Sequence, residues 1–153
     1  MRNCDREKLQ IWQKMDKAIE KKFVKTFIVT RMQDRFLHEL FMPEKRKKAA
    51  LRFAHTAENY LKEECIYAKS DKFSVNDIAQ EVKKVAPDAK QCYVIGGWRD
   101  GECMPLRQAL EACFDNYTEP VMVVNDNLAF VKTETCVGAP QRYMLYKKIT
   151  DNL

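Results

Sequence analysis

Residues 73–85 read "FSVNDIAQEVKKV". Ser74 offers a capping oxygen ahead of Val75, Ile78, Ala79, Val82 and Val85, the spacing of an amphipathic helix. Asp77 stands three residues after the serine, as in a shortened capping box, and Pro87 stops the helix. How this helix is partnered decides the fold. Between two other helices it would be the middle of a helix-turn-helix; followed by strands of its own it would belong to a different α+β domain.

Upstream, "AKSDK" (68–72) is the clearest connector in the chain. Before it, the stripe Ala50, Phe53, Ala54, Ala57, Tyr60, Leu61 and Cys65 predicts a helix over 44–67. Earlier still, Ile11, Trp12, Met15, Ala18, Ile19 and Phe23 predict one over 5–25. The β-branched and aromatic run "FVKTFIVT" (23–30) then predicts a bend or a short strand. Helical spacing resumes with Met32, Phe36, Leu37, Leu40 and Phe41 and stops at Pro43.

Downstream, "QCYVIGGWRDGEC" (91–103) predicts a strand at 91–95, a Gly-Gly break and a second turn at Asp100-Gly101. Pro105 opens a helix to about residue 115, with Leu106, Ala109, Leu110, Cys113 and Phe114 as its apolar stripe. Residues 121–124 and 128–133 read as a hairpin around "NDN" (125–127), and 142–148 as a final strand.

The order helix, helix, helix, hairpin over residues 44–153 resembles a winged helix. The likeness implies first and second helices at 44–67 and 74–85, a recognition helix at 105–115 and a wing at 135–141. One departure stands out: about 19 residues, with a strand of their own, separate the second and third helices. The expected class is therefore α+β, with a helical extension at 1–43 and an elaborated winged-helix-like domain at 44–153 carrying a small antiparallel sheet.

Bulk properties narrow the function classes. Hydrophobic residues make up 46% and charged residues 32% of 153, a folded composition. No apolar run reaches the roughly 18 residues of a membrane span, so no membrane partner is expected. The N-terminal residues lack the apolar core of a secretory signal, and six scattered cysteines without a CxxC pair fit reduced thiols in a cytoplasmic protein. Net charge is +5, unevenly spread: residues 1–70 carry 17 Lys and Arg against 10 Asp and Glu. Residues 71–153 carry 10 against 12.

No catalytic set, cofactor or metal site is expected. "IGGWRDG" (95–101) lacks the spacing of a phosphate loop and reads better as a β-turn beside a surface tryptophan. His38 and His55 lie outside any zinc spacing, and a set drawn from Cys92, Cys103, Cys113 and a distant histidine has no supporting pattern. Cys103 is the one thiol placed where a helix dipole could activate it, and a plain capping-region residue is the simpler account.

The basic cluster "EKRKKAALR" (44–52) remains. Cations at a helix start oppose the macrodipole, which points to another use for Lys45, Arg46, Lys47, Lys48 and Arg52: neutralising phosphates. Lys21, Lys22 and Lys25 form a second patch. Neither patch is interleaved with aromatics, so stacking on single strands is not indicated in the sequence. The expected function is non-catalytic, regulatory binding of nucleic acid, duplex DNA in the first place, with Arg107, Gln108 and Arg142 as base-reading or wing contacts. The alternative is a protein-interaction module or adaptor for an acidic partner, anchored by Trp98, Tyr117 and Tyr143.

Overall fold

The computed structural model describes residues 16–115, 121–133 and 141–148. The Asp16 carboxylate accepts the Ile19 N–H at 3.1 Å and so caps α1 (Lys17–Phe27). In "FVKTFIVT" the helix persists to Phe27, and Ile28 then makes a single antiparallel bridge to Leu61. The Gln33 side chain donates to the Ile28 carbonyl at 2.8 Å, satisfying backbone at the end of α1. Helix α2 (Thr30–Leu40) follows, and Pro43 both ends that segment and opens α3 (Pro43–His55) at a position needing no N–H.

The single helix expected over 44–67 is broken. After α3 come a short α4 (Ala57–Tyr60), one 3₁₀ turn (Glu63–Cys65) and a strand, β1 (Ile66–Ser70). The Thr56 hydroxyl donates to the Arg52 carbonyl at 2.7 Å, where α3 stops. Ile66, Ala68, Lys69 and Ser70 then pair with residues 142–145, with a register shift at Tyr67, so tertiary pairing overrides the helical stripe and part of the "AKSDK" connector is strand.

Helix α5 (Val75–Val85) carries the complete capping box of Ser74 and Asp77. It leads to β2 (Gln91–Ile95), a glycine-bearing loop, β3 (Cys103–Pro105) and α6 (Leu106–Asp115). The chain ends in β4 (Val121–Asn125), β5 (Leu128–Lys132) and β6 (Arg142–Tyr146). These strands form one six-stranded sheet in the order β1-β6-β5-β4-β2-β3, each neighbouring pair antiparallel. Helix α5 links β1 to β2 and α6 links β3 to β4, so two connections cross over rather than turn back.

Both faces of the sheet are covered. Tyr93, Ile95, Val121, Val123, Ala129, Val131, Tyr143 and Leu145 pack against α1 to α4. Cys92, Val94, Met122, Leu128, Phe130 and Met144 pack against α5 and α6. Burial on both sides explains why "VMVV" and "LAFV" are continuous apolar runs instead of alternating ones. The class is α+β, built as three layers.

This arrangement corrects the winged-helix expectation. Helix α3 belongs to one core and α5 and α6 to the other, so the sheet separates the first helix of the supposed trio from its partners. The residues expected as a wing, 135–141, lie almost wholly outside the described residues. Of the expected extension at 1–43, the described residues 16–43 share a core with the domain expected to follow. Phe23, Phe27, Phe36 and Leu40 are buried in the same cluster as Phe53 and Tyr93, on the far side of the expected boundary.

Candidate functional site

Arg46 lies on the inner face of α3, in line with Ala49 and Phe53, and only 3% of it is exposed. A buried guanidinium is tolerated when its five donors are all used. Here they are. Nη1 donates to Glu20 Oε1 at 2.7 Å and to the Leu40 carbonyl at 3.0 Å. Nη2 donates to Glu20 Oε2 at 2.7 Å and Asp100 Oδ1 at 2.8 Å, and Nε to Asp100 Oδ2 at 2.7 Å. The Tyr93 hydroxyl also donates to Glu20, and itself accepts the Asp16 N–H at 2.8 Å.

The network ties together α1, α3, β2 and the loop after β2. Its carboxylates raise the Arg46 pKa still further, so the guanidinium is charged throughout any working range. Burial pushes the Glu20 carboxyl up, against the opposing pull of Arg46. Burial and the adjoining Glu20 push the Tyr93 phenol up as well, keeping it a donor.

Asp100 carries the network into the loop 96–102. Its Oδ1 accepts the Gly96 N–H at 2.8 Å. The Gly101 N–H reaches the Val94 carbonyl at 2.8 Å, and the Glu102 N–H the Arg99 carbonyl at 3.0 Å. Gly96 and Gly97 have φ of 88° and 73°, left-handed values that reverse the chain at little cost only for glycine. The Gly96, Gly101 and Glu102 amides are thus spent within the turn. At its tip Trp98 is 82% exposed. The arginine beside it, Arg99, is exposed and reaches Glu102 at 3.6 Å.

The expected contact residues separate into three groups. Lys45, Lys47 and Lys48 are exposed on α3 and make no ion pair with any of the described residues. Arg46 is a correction: enclosed by Glu20 and Asp100, it has no donor left for a phosphate. Arg52 is intermediate, half exposed and 2.8 Å from Glu39, which also holds Arg35 at 2.9 Å.

Residues expected at the recognition helix and wing are placed elsewhere. Arg107 pairs with Glu111 at 3.1 Å on α6, and Gln108 is exposed there, across the sheet from α3. Arg142 is half-buried and donates to the Phe73 carbonyl. Among the aromatic anchors, Tyr143 is a correction: it is 3% exposed, under the Lys69 ammonium at 5.4 Å. Tyr117 lies outside the described residues. Of the expected anchors among the described residues, Trp98 is the one presented.

Among the described residues, Cys92 and Cys103 are not a reactive pair. Cys92 pairs across the ladder with Met104 and Cys103 with Tyr93, which sends the two sulfurs to opposite faces. Burial pushes the Cys92 thiol up to about 12, well above its reactive range. No group of three or more His, Cys, Asp or Glu among the described residues could hold a metal ion.

The feature missed in the sequence is spatial. The Arg46–Asp100 bridge ties "GGWRDG" to the first turns of α3, so the loop that presents Trp98 and Arg99 is anchored on the segment that presents Lys45 and Lys47. A cationic cluster without aromatics in sequence gains one in the fold. Glu44 and Glu102 temper its charge without cancelling it. No family model matches the chain, and neither a curated protein nor a solved structure does.

Proposed function

We propose that this protein is a non-catalytic, cytoplasmic nucleic-acid-binding protein with a regulatory role. The observation that supports the reading is the union, through the buried Arg46–Asp100 bridge, of exposed cations on α3 with an anchored loop bearing an exposed tryptophan and arginine. Lys45, Lys47, Lys48 and Arg99 would neutralise phosphates. Arg46 serves as the strut that holds the two segments together. Arg107, Gln108 and Arg142 drop out: the first two lie on α6, across the sheet from α3, and Arg142 is half-buried on β6 against the Phe73 carbonyl. The basic excess of the sequence also belongs to residues 1–70, the half that contains α3.

A second reading, a module for an acidic protein partner, draws on the same Trp98, since tryptophan and arginine are favoured interface anchors. Such anchors sit within a collar of apolar contacts. The other large apolar side chains exposed among the described residues are Leu51 and Tyr67, one late in α3 and the other on edge strand β1. Trp98 has no such collar, which favours the first reading.

Fluorescence anisotropy with a labelled oligonucleotide tests it. The wild-type protein should bind at low salt with an affinity that falls as salt rises. The double variant Lys45→Glu, Lys47→Glu should bind more weakly, its salt slope shallower by about 0.7 per lost contact on a single strand or about 0.9 on a duplex. Wild-type protein that binds no nucleic acid at low salt, or a variant with unchanged slope, would sink the proposal.

A further inference from the structure

Resting on the nucleic-acid reading above, we infer that the ligand is a single strand and that Trp98 is its stacking platform. One base lies on the indole, and Lys45, Lys47 and Arg99 hold the phosphates on either side. Three features of the site carry this.

The first is the ring itself. With 82% of its surface in water, the Trp98 ring is open to a flat partner. It is not the product of a slack segment. The loop is fixed at its base by the Gly96–Asp100, Gly101–Val94 and Glu102–Arg99 hydrogen bonds and by Asp100 on the buried Arg46. A ring held out rigidly loses little freedom when a flat partner settles on it.

The second is the company the ring keeps. Base stacking needs one aromatic face and nearby cations that follow the backbone, and it is indifferent to the identity of the base. Lys45 and Lys47 are exposed on either side of Arg46. Arg99 adjoins Trp98, and its contact with Glu102, at 3.6 Å, is long enough to yield to a phosphate.

The third is what the surface lacks for a duplex. Base pairs inside an intact helix present edges, not faces, so a projecting indole has nothing to stack on unless a base is extruded. Groove reading needs an exposed helix or ribbon that carries polar side chains to those edges. Helix α6, the expected reader, is across the sheet from the basic face, and its Arg107 is paired with Glu111. The outer face of α3 offers lysines, one arginine (Arg52) held by Glu39, and no amide side chain.

The test uses the full chain with Trp12→Phe, which leaves Trp98 as the sole tryptophan. Its emission is titrated at low salt with an oligothymidylate of about 12 nucleotides, the matching duplex, and polyglutamate. Quenching by oligothymidylate well below the concentration needed for duplex is expected. Trp98→Ala, assayed by anisotropy, should weaken oligothymidylate binding about 5- to 150-fold, and Trp98→Phe should retain most of it. Equal binding of single strand and duplex, with Trp98→Ala as tight as wild type, overturns the stacking inference and leaves nucleic-acid binding standing. Quenching by polyglutamate alone, or no binding of either nucleic acid, overturns both.

Discussion

Arg46 shows how a single residue can be misassigned by its neighbours. In "EKRKK" it reads as one cation among four, yet it falls on the 46, 49, 53 line that faces the core. Helical spacing carried that signal, and the charge run concealed it. Its partners, Glu20 and Asp100, were beyond reach of any local pattern, because pairing at a separation of 54 residues is a property of the fold. Removing the guanidinium would leave one buried carboxylate, Glu20, and one partly buried, Asp100, without a counter-charge. Arg46→Met should therefore cost about 3–5 kcal/mol in urea denaturation, far more than Lys45→Met next to it. Equal effects from the two substitutions would contradict the burial of this network.

At the scale of elements, legibility followed the range of the forces involved. Helix α5 was readable in full because its cap, stripe and stop are all local: Ser74 Oγ accepts the Asp77 N–H at 3.1 Å and the Asp77 carboxylate accepts the Ser74 N–H at 2.9 Å. The β4–β5 hairpin was readable for the same reason, with Asn125 Oδ1 closing the turn onto the Asn127 N–H at 2.8 Å. Strand β1 was not, since Ile66 and Ala68 take up extended backbone by pairing with β6, at the far end of the chain. The capping box also carries a pH dependence. Its hydrogen bonds with Ser74 hold the Asp77 carboxyl below its ordinary 3.8 in the folded state, so the stabilisation is present above that value and lost as pH falls through the lowered one. The stability difference between wild type and Asp77→Asn should thus be constant near neutrality and shrink below about pH 3.8. Denaturant midpoints across that range check it, and a difference that does not change would rule the box out as the source.

For the whole molecule, the expected organisation failed at the boundary between residues 43 and 44. The α1 and α2 aromatics interlock with those of α3 and α4: Phe23 meets Phe53 edge-on at 6.5 Å, and Phe36 meets Tyr60 at 5.4 Å. Sequence periodicity shows that each helix has an apolar face but not which surface that face meets. Deleting 1–43 should leave a chain with no cooperative thermal transition, because it strips one face of the sheet and removes Glu20. A sharp transition in the truncated chain would restore the two-part view. The candidate site was half legible in the same sense. Its lysines and its tryptophan could each be named from sequence, while their meeting could not.

The bridge between α3 and the Trp98 loop also bears on how the chain reaches its native state. Glu20 and Tyr93 are 73 residues apart and Arg46 and Asp100 are 54 apart, so the network can close only after the sheet and the first three helices have docked. Until then its charges stay hydrated and contribute nothing to the transition state. Interactions formed that late slow escape from the native basin without hastening arrival. Arg46→Met should accordingly lose its stability through faster unfolding, with refolding almost unchanged. The ion pairs that align the surface for a ligand would then also set how long each molecule stays folded.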